Sequence, residues 1–176
     1  MISEKIEKAF NEHMNEEIFS AYLYFSMAAH FESTSLDGFA SWMKLQATEE
    51  LSHASKFYSF IFERGGKVTL TAIAGPETSW DSTIAAFEGA LAHEESITAR
   101  INALVDLAAE EKDHAAVIFL QWFVTEQVEE EATAGKIIDQ LKMLENQPGG
   151  IYHLDKELAG RTGDPALLFP GIFGAQ

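Results

Sequence analysis

Gly65-Gly66-Lys67-Val68-Thr69-Leu70-Thr71-Ala72-Ile73-Ala74-Gly75-Pro76-Glu77-Thr78-Ser79-Trp80 decides the fold, because these 16 residues carry no helical stripe and stand between two long helical stretches. Prolines fall at Pro76, Pro148, Pro165 and Pro170, so 1–75 and 77–147 lack the main helix breaker. No window alternates apolar and polar residues long enough to read as a half-exposed strand. Upstream, a helix from about Ser3 to Glu32, capped by Ser3, aligns Ile6, Phe10, His13, Glu17, Ala21, Tyr24, Ala28 and Phe31 on one stripe. A Ser33-Thr34-Ser35 turn leads to a second helix, Leu36 to Arg64, with Phe39, Trp42, Met43, Gln46, Glu50, His53, Phe57 and Phe60 in line and Gly65-Gly66 as its stop. Downstream, a third helix starts after Trp80, capped by Asp81 or Ser82, and carries Phe87, Leu91, Glu94, Thr98, Ile101 and Val105. Around Lys112-Asp113 it yields to a fourth, with Leu120, Phe123, Gln127, Glu130, Ala134, Ile138 and Leu141. Asn146-Gln147-Pro148-Gly149-Gly150 closes that helix, and Ile151 to about Gly160 reads as a short fifth.

Connection lengths set the topology. Turns of a few residues make antiparallel hairpins of helices one and two and of helices three and four. The stretch from Gly65 to Trp80 reaches roughly 50 Å when extended, and a 30-residue helix is about 45 Å long. It can therefore run the length of a bundle and start the third helix at the same end as the second. The expected fold is an all-α four-helix bundle with one long crossover and a short fifth helix, in a domain spanning 1–161 followed by an extension over 162–176. A connection this long is otherwise unusual in a compact domain.

Composition narrows the chemistry. The chain of 176 residues carries 28 Asp and Glu against 12 Lys and Arg, a formal charge of -16. A polyanion is repelled by nucleic acid and by anionic membranes and attracts metal cations. There is no Cys, which excludes disulfides, iron–sulfur clusters and a thiolate nucleophile. Met1-Ile2-Ser3-Glu4-Lys5 opens no apolar leader, and no apolar run approaches 18 residues, so a cytoplasmic protein is expected.

Each stripe carries a carboxylate where a core residue belongs: Glu17, Glu50, Glu94 and Glu130, with His53 one turn from Glu50 and Gln127 one turn from Glu130. Singly, such a Glu reads as a residue at the edge of its face, and Glu50-Leu51-Ser52-His53 is common by chance. Four at mid-helix height on facing stripes repel one another strongly in a dry interior. Lys44, Lys56, Arg100 and Lys136 all fall off the core faces, leaving divalent cations as neutralisers and protonation as the rival. Oxygen ligands with one imidazole suit iron or manganese, with zinc possible. Glu50 can bridge two ions. His30, His93, His114 and His153 read as surface and His13 as a core or interface histidine.

The strings Asn11-Glu12…Glu16-Glu17, Glu49-Glu50-Leu51-Ser52-His53-Ala54, His93-Glu94 and Phe119-Leu120-Gln121-Trp122…Glu126-Gln127-Val128-Glu129-Glu130-Glu131 together make the chain resemble a bacterial non-haem ferritin over about 1–161. The resemblance implies a ferroxidase that oxidises Fe(II) with dioxygen or hydrogen peroxide and stores a ferric mineral inside a homo-oligomeric shell of 24 subunits. By matching position, Glu17, Glu50 and His53 hold a first iron. Glu50, Glu94 and Glu130, with Gln127 beside them, hold a second. Glu49, Glu126 and Glu129, sharing Glu130, hold a third. Tyr24 and Trp122 match an electron-supplying tyrosine and tryptophan. Leu51 stands where haem-binding relatives place a Met, so no haem is expected, and Val117 and Leu120 stand where animal ferritins line a threefold pore with acids. A di-iron or di-manganese oxidase or catalase on a small substrate, needing two histidines and an open apolar pocket, is the alternative enzyme. The non-catalytic alternative is a helical scaffold or metal buffer whose carboxylates are merely structural; non-catalytic ferritin subunits typically neutralise the site with a basic residue, and no Lys or Arg is expected to do so here. For the run Leu167 to Phe173, packing against the subunit's own shell is set against docking to a partner.

Overall fold

In a computed structural model, which describes residues 1–144, 147 and 149–163, the chain folds as α1 (Glu4–Ser33), α2 (Asp37–Glu63), α3 (Thr83–Glu110), α4 (His114–Leu144) and α5 (Gly150–Leu158). No strand occurs among the described residues. The Leu167–Phe173 run lies outside them. Ser3 and Ser82 cap α1 and α3 by accepting from Ile6 N and Ala85 N. Gly65 ends α2 at φ 73°, a left-handed conformation open to glycine, and Gly66 N donates back to Ile61 O at 2.8 Å. Asp113 caps α4 through Ala116 N at 3.1 Å and takes both Arg64 guanidinium nitrogens at 2.9 Å, which ties the end of α2 to the start of α4. The Arg64 hydrogen bonds hold the Asp113 carboxyl below its usual range.

The crossover can be followed by its bonds to α1. Lys67 N donates to Glu7 Oε2 at 3.1 Å, Asn11 Nδ2 donates to Lys67 O at 2.9 Å, and Thr69 N donates to Asn11 Oδ1 at 2.6 Å. Further on, Ser26 Oγ donates to Glu77 O at 2.5 Å, and Trp80 meets His30 edge-on at 5.3 Å. The segment thus travels the length of α1, and α3 begins beside the start of α2, with Phe39 and Phe87 rings 5.8 Å apart. This is the crossover that its length predicts.

Two apolar plugs fill the bundle. One is built on Phe31, Phe39, Met43 and Phe87 with Ile138, Leu141 and, from α5, Leu154; the other on Ile6, Phe10, Phe57, Ile101, Leu120 and Phe123. Each fully buried aromatic or aliphatic side chain contributes about 1.5–3 kcal/mol of transfer free energy. Between the plugs lies a layer drawn from the middle of all four helices: Glu17, Ser20, Gln46, Glu50, His53, Glu94, Gln127 and Glu130, all buried. The α3 stripe differs from the sequence reading. Its buried face is Phe87, Ala90, Glu94, Ile97, Ile101, Leu104 and Ala108, while Leu91, Thr98 and Val105 are half-buried. Phe87, Glu94 and Ile101 lie on both the expected and the observed face, and only the positions between them are read one residue late, where Ala90, Ile97 and Leu104 are the buried ones.

α5 docks by a contact invisible in its own sequence. The first turn of α2 has no side-chain cap of its own, and buried Asp155 supplies one from α5 by accepting from Gly38 N at 2.7 Å and Phe39 N at 3.1 Å. A Cβ at Gly38 would stand 1.7 Å from Asp155 O, so only glycine admits the approach.

Candidate metal centre

Glu17, Glu50 and His53 converge in the polar layer, each offering a ligand atom within 4.8 Å of the others, and all three are buried. His53 Nδ1 lies 3.3 Å from Glu50 Oε2 and 4.0 Å from Glu17 Oε2. The i, i+3 spacing on α2 sets the first distance, and the antiparallel packing of α1 on α2 brings in Glu17. Neither carboxylate oxygen of Glu17 has a hydrogen-bond partner. Two orphaned acceptors in a dry core are costly unless something electropositive sits on them. His13 is buried in the core, but not as the satisfied histidine its stripe suggests: its Nε2 stands 2.9 Å from Glu17 Oε1 without hydrogen-bond geometry, and neither ring nitrogen has a hydrogen-bond partner. His53 rests edge-on against Trp122 at 5.3 Å and Phe123 at 5.9 Å, and Lys56 lies over the Trp122 ring.

Glu94 and Glu130 share the layer but are turned to neighbours. Glu94 accepts from the Tyr24 hydroxyl and, at 3.1 Å, from Gln127 Nε2. Glu130 Oε2 accepts from Gln46 Nε2 at 2.5 Å, and the same amide reaches Glu50 Oε1 at 3.4 Å. The expected third set lies toward the surface: Glu49 and Glu126 are half-buried and Glu129 is exposed, and the charges of Glu129 and Glu49 both act on Glu126. Leu120 is wholly buried inside the bundle and Val117 half-buried, so the Leu120 position cannot line a pore.

The electrostatics follow from crowding. Burial, then the charges of Glu94, Glu17 and Glu130, push the Glu50 carboxyl well up. Burial lifts Glu94 despite its two hydrogen bonds, and burial with the charges of Glu94 and Glu49 lifts Glu130 to about 8. Burial pushes Glu17 up too, but the His13 and His53 rings outweigh it and leave this carboxyl below its usual value. Burial and the Glu94 and Glu50 charges raise the Tyr24 phenol. Without metal, then, burial and crowding favour the protonated forms of Glu50, Glu94 and Glu130 over their charged ones. The two neutralisers weighed from sequence are alternatives in time, since a cation entering the layer displaces those protons.

Sequence reading missed three parts. Gln46 is visible on its stripe, one turn before Glu50, yet its role as amide donor to the carboxylates is not. His93 is half-buried rather than surface, with Nε2 2.7 Å from Ser20 Oγ and burial lowering its pKa. Arg161, beyond α5, donates to Glu49 Oε2 at 2.5 Å and Gln46 Oε1 at 2.9 Å. Arg161 thus brings a cation to the rim of the site from outside the four stripes, on Glu49 rather than on the four core carboxylates. Among the described residues no Lys or Arg is paired with Glu17, Glu50, Glu94 or Glu130. No helix among them is long and apolar enough to cross a membrane.

Comparison with known proteins agrees with this architecture. The family described as ferritin-like domain matches residues 7–144. The chain is 43% identical over 161 residues to a bacterial non-heme ferritin of Bacteroides fragilis (strain 638R), covering 92% of this chain and 100% of that one. It is 41% identical over 164 residues to a bacterial non-heme ferritin of Staphylococcus saprophyticus, covering 93% and 98%. Among solved structures, an open pore ferritin from the hyperthermophilic archaeon Archaeoglobus fulgidus superposes with a TM-score of 0.91 at 49% identity, over 92% of this chain and all of that one. A closed form of the Archaeoglobus fulgidus ferritin engineered by mutagenesis gives 0.92 at 49% identity, over 93% of this chain and all of that one.

Proposed function

Because the chain belongs to the ferritin-like family, we propose that it is a ferroxidase of the bacterial non-haem type that oxidises Fe(II) and stores the product as ferric mineral. The observation that carries the reading is the buried triad of Glu17, Glu50 and His53, whose two Glu17 oxygens lack any hydrogen-bond partner. Iron is the substrate. The first Fe(II) sits on Glu17, Glu50 and His53, and the second on Glu50, Glu94 and Glu130, with Gln127 alongside. Glu50 bridges them. Glu49, Glu126 and Glu129, sharing Glu130, hold a third iron on its way out. Each pair of Fe(II) gives two electrons to dioxygen, which takes two protons and leaves as hydrogen peroxide; with peroxide as oxidant the same two electrons and two protons give two waters.

This chain's residues supply placement and protons. Loading iron drives protons off Glu50, Glu94 and Glu130, the carboxyls whose pKa burial raises. The Tyr24 hydroxyl, bonded to Glu94, and the Trp122 ring against His53 are placed to yield a further electron when oxygen is reduced past peroxide. Residues 1–161 act as one ferritin-like unit with 162–176 as an extension, and 24 copies form a cytoplasmic shell. Its acidic inner wall, drawn from a chain of formal charge -16, concentrates Fe(II) and nucleates mineral. No haem takes part, since Leu51 offers no axial ligand. The oxidase or catalase alternative needs a second imidazole ligand; His53 is in the triad, whereas buried His13, though 2.9 Å from Glu17, is not grouped with it.

Stopped-flow mixing of apo-protein with aerobic Fe(II) tests the reading. A fast phase consuming about two to three irons per chain is expected, and a Glu50→Ala, His53→Ala double variant should lose it. An unchanged fast phase in that variant would overturn the assignment.

A further inference from the structure

Arg161 lies flat on α2 at the rim of the metal centre. Its guanidinium carbon is 4.6 Å from the Trp42 ring centre, Nη1 donates to Gln46 Oε1 at 2.9 Å, and Nη2 donates to Glu49 Oε2 at 2.5 Å. Trp42, Gln46 and Glu49 follow one another at i, i+4 and i+7, so one side chain straps two turns of a single helix face. Its position is set from outside the four-helix bundle. The Asp155 cap on Gly38 and Phe39 anchors α5 six residues earlier, and just beyond Arg161 the chain presses on α2 so closely that a Cβ at Gly163 would stand 2.7 Å from Leu45 Cδ2.

The strap has two consequences. A guanidinium can only donate, so Gln46 must turn its amide oxygen toward Arg161 and therefore its NH2 into the polar layer, where Nε2 meets Glu130 at 2.5 Å and Glu50 at 3.4 Å. Arg161 thus fixes, through one amide, the direction of a donor to two carboxylates of the iron pair. It also occupies Glu49. That carboxylate raises the pKa of Glu126 and Glu130 by its charge, so it is electrostatically part of the acidic rim, yet here it is already satisfied by a cation that belongs to the protein.

We propose that Arg161 is a resident counter-ion of the outer iron position: it holds Glu49 and orients Gln46 while the pair is filled, and an iron reaches the outer position only by displacing it. This rests on the reading of the pair given above. Arg161 is a positioning residue, acting through Glu49 and Gln46, and it sets the order of filling, pair first and outer position last. Displacement also frees the Gln46 amide to turn, which releases Glu130 from its donor when Glu130 is to be shared with the third ion.

Anaerobic calorimetric titration of the full-length apo-protein with Fe(II) tests this in wild type, Arg161→Gln and Arg161→Lys. Wild type should take two tight equivalents and a weaker third. Arg161→Gln removes the competing charge but keeps a donor for Gln46, and the third equivalent should tighten by about tenfold or more, the least that removing one like charge at contact distance gives under water-like screening. Arg161→Lys should stay within about threefold of wild type, because the charge survives. A merely structural role would weaken binding in Arg161→Gln. A third equivalent that is weaker, or unchanged within about twofold, in that variant overturns the proposal. Absence of the two tight equivalents from the wild-type protein would instead overturn the reading of the pair itself.

Discussion

Replacing Glu130 by Gln should make the metal-free protein more stable and the metal-loaded protein less so. In the folded chain Glu130 titrates at about 8, against 4.5 when solvated, because it is buried beside Glu94 and Glu49. Between those two values the folded state binds a proton that the unfolded state has lost, so stability falls as pH rises through the interval. Below it, both states are protonated and the penalty vanishes. Above it the cost is at most about 5 kcal/mol, and about 2–5 kcal/mol once neighbouring carboxyls take part of the proton load. The amide introduced by Glu130→Gln is neutral at every pH and can still accept from Gln46 Nε2 through its carbonyl. Calorimetric melting of chelator-stripped protein should therefore give similar midpoints for the two proteins at pH 5. At pH 8.5 the variant should melt roughly 5–15 °C higher. Added Fe(II) should reverse the order, since the variant has lost a charged ligand. A variant that melts lower than wild type at pH 8.5 without metal refutes the claim that the apo layer is strained by its own charges.

Other perturbations probe separate parts of the account. Gly38→Ala places a methyl against the Asp155 backbone at 1.7 Å and should undock α5, seen as faster hydrogen exchange over 150–158 with α3 and the α3–α4 turn unaffected. Asp155→Ala removes the side-chain cap on the first turn of α2 and should cost about 1–2 kcal/mol by chemical denaturation. Tyr24→Phe keeps the ring in the core but deletes the donor to Glu94; the fast oxidation phase should persist while released hydrogen peroxide per iron rises, read by peroxide assay.

Much of the fold is legible because helix period and connection length are strong, local signals. The Gly65–Trp80 stretch is long enough for a bundle-length crossover, and the α1 and α4 stripes are read in register throughout, the α2 stripe up to Phe60, where Ile61 is the buried residue. The α3 face is so read only at Phe87, Glu94 and Ile101, since Ala90 packs closely without announcing itself, whereas Leu91 looks like core. The buried carboxylates are legible as anomalies on apolar stripes: Glu17, Glu50 and His53 meet where their spacing places them. What sequence hides is long-range chemistry. Asp155 sits in a short helix with no signal of a distant partner, yet it caps a helix 117 positions away. Arg161 stands beyond the four stripes, yet it reaches Gln46 and Glu49. Both act through the docking of α5, whose apolar face of Leu154 and Leu158 shows that it packs but not against what.

The central claim is that the carboxylates in the middle of the bundle coexist because iron takes the place of their protons. Anomalous diffraction at the iron edge from a crystal soaked anaerobically in Fe(II) tests it most directly. The account predicts two strong peaks inside the bundle, one among Glu17, Glu50 and His53 and the other among Glu50, Glu94 and Glu130. Peaks confined to exposed carboxylates, with an empty polar layer, would contradict it.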